Sequence, residues 1–251
     1  MSALALRIIA CLTMLLDHLG YLYGITPLRI IGRISFPIFL FLIVNGYRHT
    51  SNRFLYALRL GVFAVLSQVP FSLFTNGSNW ITKGNVLFTL LICLVCIWIS
   101  DAMDRNRLLR RLSLLPMIAA FCLYLSGTIS SDYGAKAILM ATVFFAFDRN
   151  NAGDKLLLSI GVLISIYFNY IISCMKQLYV LMQGGQAVLP SLSRWDSLQI
   201  FGLLSLVFIL TYNGKPGIRP RTKAGAKLMQ YGFYAFYPLH MLLLWALNTY
   251  L

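Results

Sequence analysis

Charged residues, and acids above all, are scarce in this chain. Only 11% of its 251 residues are charged, it contains no glutamate, and its seven aspartates stand against 21 lysines and arginines. A soluble domain carries about 25% charged residues, so this composition excludes an ordinary soluble protein and indicates an integral membrane protein. A basic excess in a membrane protein most often sets the orientation of its loops, and we therefore expect no nucleic-acid partner.

The signatures of several common enzyme classes are also missing. There is no G-x-S-x-G, no P-loop and no dinucleotide fingerprint, which argues against serine hydrolysis, ATP hydrolysis and hydride transfer. The three histidines lack H-x-x-x-H spacing, so we expect no metal site. The five cysteines all lie in apolar runs, and the C-x-x-C at Cys93 and Cys96 therefore predicts helix packing rather than disulfide or redox chemistry.

Long apolar runs, in contrast, are abundant. They predict an all-α, polytopic membrane protein with about nine transmembrane helices (eight to ten), folded as a single domain over 1–251. The first run has no basic segment before it and no small-residue cleavage site after it, so we predict a retained helix rather than a signal peptide. The nine segments are 4–23, 30–47, 54–74, 85–100, 112–130, 134–147, 156–174, 198–212 and 231–250.

Basic residues are distributed unevenly between the loops. Thirteen lie in the loops after the second, fourth, sixth and eighth helices, and five lie in the alternate loops. The positive-inside rule then places the N-terminus in the cytoplasm. We expect the long outer loop 175–197, with its Gly-Gly and proline, to form a flexible cap.

The first segment carries three ionisable residues, Arg7, Asp17 and His18, although such groups are costly inside a membrane. Because a helix turns about 100° per residue, positions 7 and 18 face nearly the same way, about 16 Å apart along the axis. This costly placement makes Asp17 and His18 the default candidates for a functional site.

Other polar residues are predicted at the same depth as this pair. Arg33 begins the second helix, one turn after Arg29, and can lie beside Asp17. Gln68, Asn85 and Asp132 also fall at the outer helix ends, while His240 lies midway along the last helix.

A histidine beside a carboxylate is the usual arrangement for general-base catalysis, in which the acid orients the imidazole. Acyl transfer would need His18 as the base, and Arg33, Asn85 or Gln68 as a donor that stabilises the oxyanion. Two alternatives remain open for Asp17 and His18. They are a structural pair between helices and a proton or ion relay.

Several short motifs resemble the TraX family of bacterial membrane proteins. The matching pieces are Asp17-His18 after Met14-Leu15-Leu16, Gly32-Arg33 with Phe36-Pro37-Ile38-Phe39, Asn85-Val86-Leu87-Phe88, and Tyr237-Pro238-Leu239-His240. The family's activity is N-acetylation of an F-type pilin subunit. The chain is also similar to transmembrane acyltransferases such as the acyltransferase-3 proteins, which place a basic residue, ten residues and then a catalytic histidine on the first helix. Arg7 and His18 have that spacing.

The resemblance implies a multi-pass protein of the bacterial inner membrane that moves an acetyl group from cytoplasmic acetyl-CoA to an acceptor at the outer face. It implies His18 and Asp17 as catalytic residues and Arg7, Arg29, Arg33 and Asn85 as the cofactor-binding set. Gln68, Asp132 and His240 are assigned to the substrate or to structure. Three acceptor classes are left open: a pilin-like peptide, a glycan and a small molecule. Whether the protein forms a homodimer is also left open. The alternatives are a proton-coupled transporter and a membrane scaffold for pilus or conjugation machinery.

Overall fold

The computed structural model describes residues 1–250 except 76–82, 107–108, 110–111, 148–150, 187–193, 219 and 221, and describes 194–196 by their backbone alone. Throughout this part of the chain the regular structure is helical and no strand is present, which confirms the all-α prediction. Six of the basic loop residues used for orientation lie outside the described residues: Arg107, Arg110, Arg111, Arg149, Arg219 and Arg221.

Twelve α-helices are described. In chain order they are α1 Ala3–Leu22, α2 Thr26–Gly32, α3 Ser35–His49, α4 Arg53–Leu66, α5 Gln68–Phe74, α6 Val86–Arg105, α7 Leu115–Leu125, α8 Gly134–Ala146, α9 Ala152–Met182, α10 Arg194–Gln199, α11 Ser205–Leu210 and α12 Lys223–Tyr250. A short 3-10 helix, Ile200–Leu204, joins α10 to α11.

Five helical stretches among the described residues are long and apolar enough to cross a membrane. They are Ala3–Leu22, Thr26–His49, Arg53–Phe74, Val86–Arg105 and Ala152–Met182. Three further apolar stretches, Leu115–Leu125, Gly134–Ala146 and Ser197–Leu210, have 10–17 residues. That is less than the roughly 20 residues that a bilayer crossing takes. The membrane class agrees with these helices, but the predicted count of nine crossings is not confirmed.

Two of the predicted spans are each interrupted once. The third predicted span divides at Ser67 into α4 and α5. Pro70 explains this break, because it has no N–H for the carbonyl of Leu66 and its ring clashes with that carbonyl. The second predicted span begins earlier than expected, at Thr26, and divides between Gly32 and Ser35 into α2 and α3.

The seventh predicted span was too short. Instead of ending at 174, α9 continues to Met182, so the first third of the loop expected at 175–197 is helical. One lysine and one glutamine, at 176 and 177, do not stop a helix whose surroundings remain apolar. The helix ends where Gly184 adopts a positive φ of 76°, the left-handed conformation typical of a residue just past a helix terminus.

The first and last helices pack side by side. The helix α1 contacts α2, α3 and α12, and α12 also contacts α4 and α5. On the far side, α6 packs against α4, α7 and α8, and α8 packs against α9. Residues from opposite ends of the sequence, on α1 and α12, are therefore neighbours.

An ionic cluster joins α3, α4 and α6 at the end of α3 remote from Arg33. The carboxylate of Asp101 accepts a hydrogen bond of 2.6 Å from the Tyr47 hydroxyl. It also pairs with Arg53 at 3.0 Å and with Arg105 at 2.9 Å. This cluster links three helix ends through one carboxylate.

Candidate functional site

The turn between α1 and α2 brings the predicted polar residues together. Gly24, with a φ of 67°, supplies the left-handed residue that reverses the chain. Gly32 then allows α2 to lie directly on α1, since a Cβ at this position would be 2.2 Å from the Cβ of Asp17. The sequence Gly32-Arg33 therefore places a guanidinium within reach of a carboxylate on the preceding helix.

Asp17 is held by two arginines. Arg33 Nη2 donates a hydrogen bond to Asp17 Oδ1, and Arg29 Nε lies 3.4 Å from the same oxygen. The Arg33 side chain is only 1% exposed, and its Nε donates to the carbonyl of Arg29 at 3.3 Å. Because a buried carboxylate and guanidinium are far less costly together than apart, the predicted proximity of Asp17 and Arg33 is physically reasonable and is observed.

His18 is oriented by another histidine rather than by Asp17. Its Nδ1 lies 2.7 Å from Nε2 of His240, on α12. His240 Nδ1 in turn lies 2.7 Å from the carbonyl oxygen of Phe236. The expectation that Asp17 orients the imidazole was wrong, because successive residues of a helix point about 100° apart and Asp17 faces Arg33 instead.

Phe74 completes the surroundings of this histidine pair. Its ring meets that of His18 edge-on, with centroids 5.2 Å apart. Tyr237 packs similarly against His240, at 5.8 Å. The site thus combines residues of α1, α5 and α12, which only the tertiary fold brings together.

A cavity of about 380 Å³ passes alongside both Arg7 and His18. One end, here called the arginine end, is lined by Arg7, His49, Arg59, Gln230 and Tyr234. The other, here called the histidine end, is lined by Asp17, His18, Asp132, Tyr133 and Tyr237. Apolar side chains, including Phe39, Leu42, Leu60 and Leu90, line the part between them. Arg7 and His18 are eleven positions apart on one helix, so the two ends are about 16 Å apart.

The arginine end carries positive charge that no carboxylate of the described residues neutralises. Within this part of the chain the ion pairs of Asp17, Asp101 and Asp132 reach neither Arg7 nor Arg59. Arg7 lies over the ring of Phe233, at 5.8 Å. The Nε of Arg59 is buried without a hydrogen-bond partner among the described residues. A buried donor with no acceptor is costly, so this end is suited to an anionic ligand.

Tyr133 at the histidine end offers a hydroxyl donor. It lies in the turn before α8, and its ring stacks on Phe36 with centroids 3.5 Å apart. Burial raises the pKa of the Tyr133 phenol, so the hydroxyl stays protonated at neutral pH. Asp132, which was also predicted as a site residue, lines the cavity nearby. Its carboxylate forms a half-exposed ion pair with Lys83 at 3.0 Å.

Asn85 and Gln68 serve the helix framework. Asn85 Nδ2 donates to the carbonyl of Ala64 at 2.8 Å and to Gln68 Oε1 at 2.9 Å, and its Oδ1 caps α6 by accepting from Leu87 N at 3.0 Å. Gln68 Nε2 donates to the carbonyl of Lys83 at 3.0 Å. Both amide hydrogens of Asn85 are thus used within the protein, so its assignment to cofactor binding is replaced by a structural role that ties α4 and α5 to α6.

Arg59 and Tyr133 are site residues that the sequence reasoning missed. Arg59 had a usable signal, because it is an ionisable residue inside an apolar run, as Arg7 is. Tyr133 had no such signal, since a tyrosine near a helix end is ordinarily an interface anchor. As for metal ligands, the described residues contain no group of three or more His, Cys, Asp or Glu side chains.

Comparison with known proteins identifies the family. The model of the TraX protein family matches residues 2–248. The chain belongs to the TraX family. It is 27% identical over 264 residues to a probable fimbrial assembly protein, FimC of serogroup H1, from Dichelobacter nodosus, covering all of this chain and 97% of that relative. No solved structure matches this TraX protein.

Proposed function

We propose that this TraX protein is a transmembrane acetyltransferase that uses acetyl-CoA. The observation that carries the proposal is a cavity that runs from an arginine end to the half-buried His18 about 16 Å away. Acetyl-CoA is a long donor with phosphates at one end and a reactive thioester at the other. The cavity matches it, because arginines lie at one end, apolar side chains line the middle, and a histidine that can accept a proton lies at the other end. Arg7 and Arg59 would hold the phosphates, and acetyl-CoA would supply the activated thioester near His18.

The chemistry at the histidine end follows from these groups. His18 accepts the proton of the acceptor amine or hydroxyl as its nitrogen or oxygen attacks the thioester carbonyl. The new C–N or C–O bond forms, the C–S bond breaks, and the imidazolium returns the proton to the departing CoA thiolate. The Tyr133 hydroxyl and the surplus positive charge of Arg29 and Arg33 over Asp17 favour the oxyanion that develops in between.

The orientation follows from the uneven charge of the loops. The arginine end lies at the beginnings of α1 and α4, next to the loop residues that the positive-inside rule places in the cytoplasm. We therefore propose a multi-pass protein of the bacterial inner membrane with a cytoplasmic N-terminus, which receives acetyl-CoA from inside and the acceptor at the outer face. The similarity to a fimbrial assembly protein supports a pilin-like peptide as the acceptor. A glycan and a small molecule remain the other acceptor classes to screen.

The test is release of CoA from acetyl-CoA by the purified protein in detergent. We expect slow turnover by the wild type, and a loss of about 10²–10⁴-fold in His18→Ala, because the general base is removed. His49→Ala, compared at saturating acetyl-CoA, is the matched histidine control: Nδ1 of His49 donates to the carbonyl of Asn45 on its own helix, and the side chain lies at the arginine end, where its loss should affect KM rather than kcat. Equal turnover in wild type and His18→Ala would contradict the proposal.

The scaffold alternative makes the opposite prediction in cells. If the protein only organises an assembly machinery, His18→Ala should support pilus assembly as well as the wild type does. The transporter alternative predicts proton flux in reconstituted vesicles that does not require acetyl-CoA. Acetylation of a recovered acceptor, lost with His18, would reject both alternatives.

A further inference from the structure

We propose that His240 is a positioning residue that holds His18 in one tautomer, with Nδ1 protonated and Nε2 free to accept a proton. The kinetic consequences of this role rest on the proposed function. The assignment of the tautomer is independent of that function. The carrying observation is the chain of two contacts that joins His18 to His240 and His240 to the Phe236 carbonyl.

The backbone carbonyl determines where the protons lie. A carbonyl oxygen has no hydrogen to donate, so at 2.7 Å the Nδ1 of His240 must be the donor. A neutral imidazole with a protonated Nδ1 has an unprotonated Nε2, which accepts a hydrogen bond. The Nδ1 of His18, 2.7 Å from that Nε2, is therefore the donor. In neutral His18 the remaining nitrogen, Nε2, carries the lone pair.

The packing of the rings favours this arrangement. The two imidazole planes lie within 19° of each other and their centroids are 4.9 Å apart. This separation suits near-coplanar rings joined nitrogen to nitrogen, and it is longer than van der Waals contact between stacked faces. His240 is 5% exposed, and the ring of Phe236 lies beside it with centroids 4.9 Å apart. Its orientation is thus fixed by burial as well as by the carbonyl.

A histidine takes the place that a carboxylate has in the familiar catalytic triads. The carboxylate nearest in the sequence, Asp17, is occupied by Arg29 and Arg33. When Nε2 of His18 is protonated, the proton on Nδ1 can move to Nε2 of His240, and the positive charge is then shared between the two rings. The Phe236 carbonyl cannot pass that proton on, so the pair holds a proton rather than conducting it.

The direct test is 15N NMR of the protein labelled on histidine, in detergent, with His49→Gln as the background so that only two imidazoles remain. We expect His18 to show a protonated Nδ1 and an unprotonated Nε2, the less common tautomer of free histidine. In His240→Leu the acceptor is lost, and His18 should return to the Nε2-protonated form. A His18 signal that stays protonated on Nδ1 in His240→Leu would overturn the proposal.

A matched pair of variants separates positioning from folding. The amide oxygen of His240→Gln can accept from His18 where Nε2 of His240 does now, whereas His240→Leu has similar bulk and no acceptor. We expect a fall in kcat of about 100-fold in His240→Leu, with the KM for acetyl-CoA unchanged, and recovery of most of the rate in His240→Gln. Equal losses in both variants would contradict the assigned role.

The two proposals can fail separately. If the wild type releases no CoA, the acetyltransferase proposal fails, while the NMR experiment still decides the tautomer. If the wild type turns over and His18 keeps its tautomer without His240, the acetyltransferase proposal stands and the positioning role falls.

Discussion

Charge balance around Asp17 governs the histidine end of the cavity at the scale of single residues. One carboxylate faces two guanidinium groups, of which Arg33 is almost fully buried. A buried charge loses far more free energy when its partner is removed than the pair contributes over neutral side chains. The Asp17–Arg33 pair is therefore expected to be important for stability, whatever the activity of the protein.

Removal of Arg33 should be more damaging than removal of both charges. We expect Arg33→Gln to lower the free energy of unfolding by about 3 kcal/mol, because Asp17 keeps only the longer contact with Arg29. The double variant Asp17→Asn with Arg33→Gln should recover part of that loss, since no carboxylate that has lost its main partner remains. Equilibrium unfolding in mixed micelles measures the free energy of unfolding of the single and of the double variant. A double variant less stable than Arg33→Gln alone would contradict this account.

At the scale of elements, the close packing of α1 on α2 depends on one glycine. A Cβ at Gly32 would meet Asp17 atoms at 2.2–2.7 Å, a distance that only a shift of one helix can relieve. The adjoining turn at Gly24 then gives the chain its reversal. The contact of these two helices, more than the turn, sets the position of Arg33.

Gly32→Ala should therefore destabilise the protein, whereas a glycine elsewhere should tolerate the same change. We expect a loss of about 3 kcal/mol for Gly32→Ala from overpacking. Gly232→Ala on α12 is the control, because nothing lies within 4 Å of its added Cβ and alanine favours a helix by about 1 kcal/mol. Thermal unfolding of both variants in detergent is the measurement, and equal midpoints would show that α1 and α2 can separate without cost.

At the scale of the whole molecule, the cavity has one end with unneutralised arginines and one with paired charges. Arg7 comes from α1 and Arg59 from α4, and both line the same end. Arg7 lies about 16 Å from His18 along α1, too far to touch a reacting carbonyl there, and Arg59 lines the same end as Arg7. The proposed division of labour is that these arginines bind the donor and the histidine end performs the chemistry.

This division predicts a separation of kinetic effects. Arg7→Ala and Arg59→Ala should each raise the KM for acetyl-CoA about tenfold or more and leave kcat nearly unchanged, since charge-assisted hydrogen bonds contribute about 1.5–3 kcal/mol. Lys227→Ala is the control, because it removes a basic side chain exposed on α12 outside the cavity lining. A loss of kcat with unchanged KM would place these arginines outside the donor site.

Composition and local pattern were sufficient to predict the membrane class, the all-α fold and the approximate position of most helices, because hydrophobic length and helical period are properties of short segments. They also placed Arg7 and His18 on one face of α1 and Arg33 near Asp17, since a single helix and a short turn fix those relations. The number of crossings was not determined in this way, because prolines and short apolar segments make breaks that hydropathy averages out.

Only the tertiary structure decided which partner orients His18. Residue 240 is 222 positions away, and no local pattern specifies that α12 packs on α1 in the register that joins the two imidazoles. The same holds for the convergence of Arg59 with Arg7, and for the use of Asn85 as a cap between helices. Side-chain partners across helices depend on packing register, which is set by the fit of whole helix surfaces.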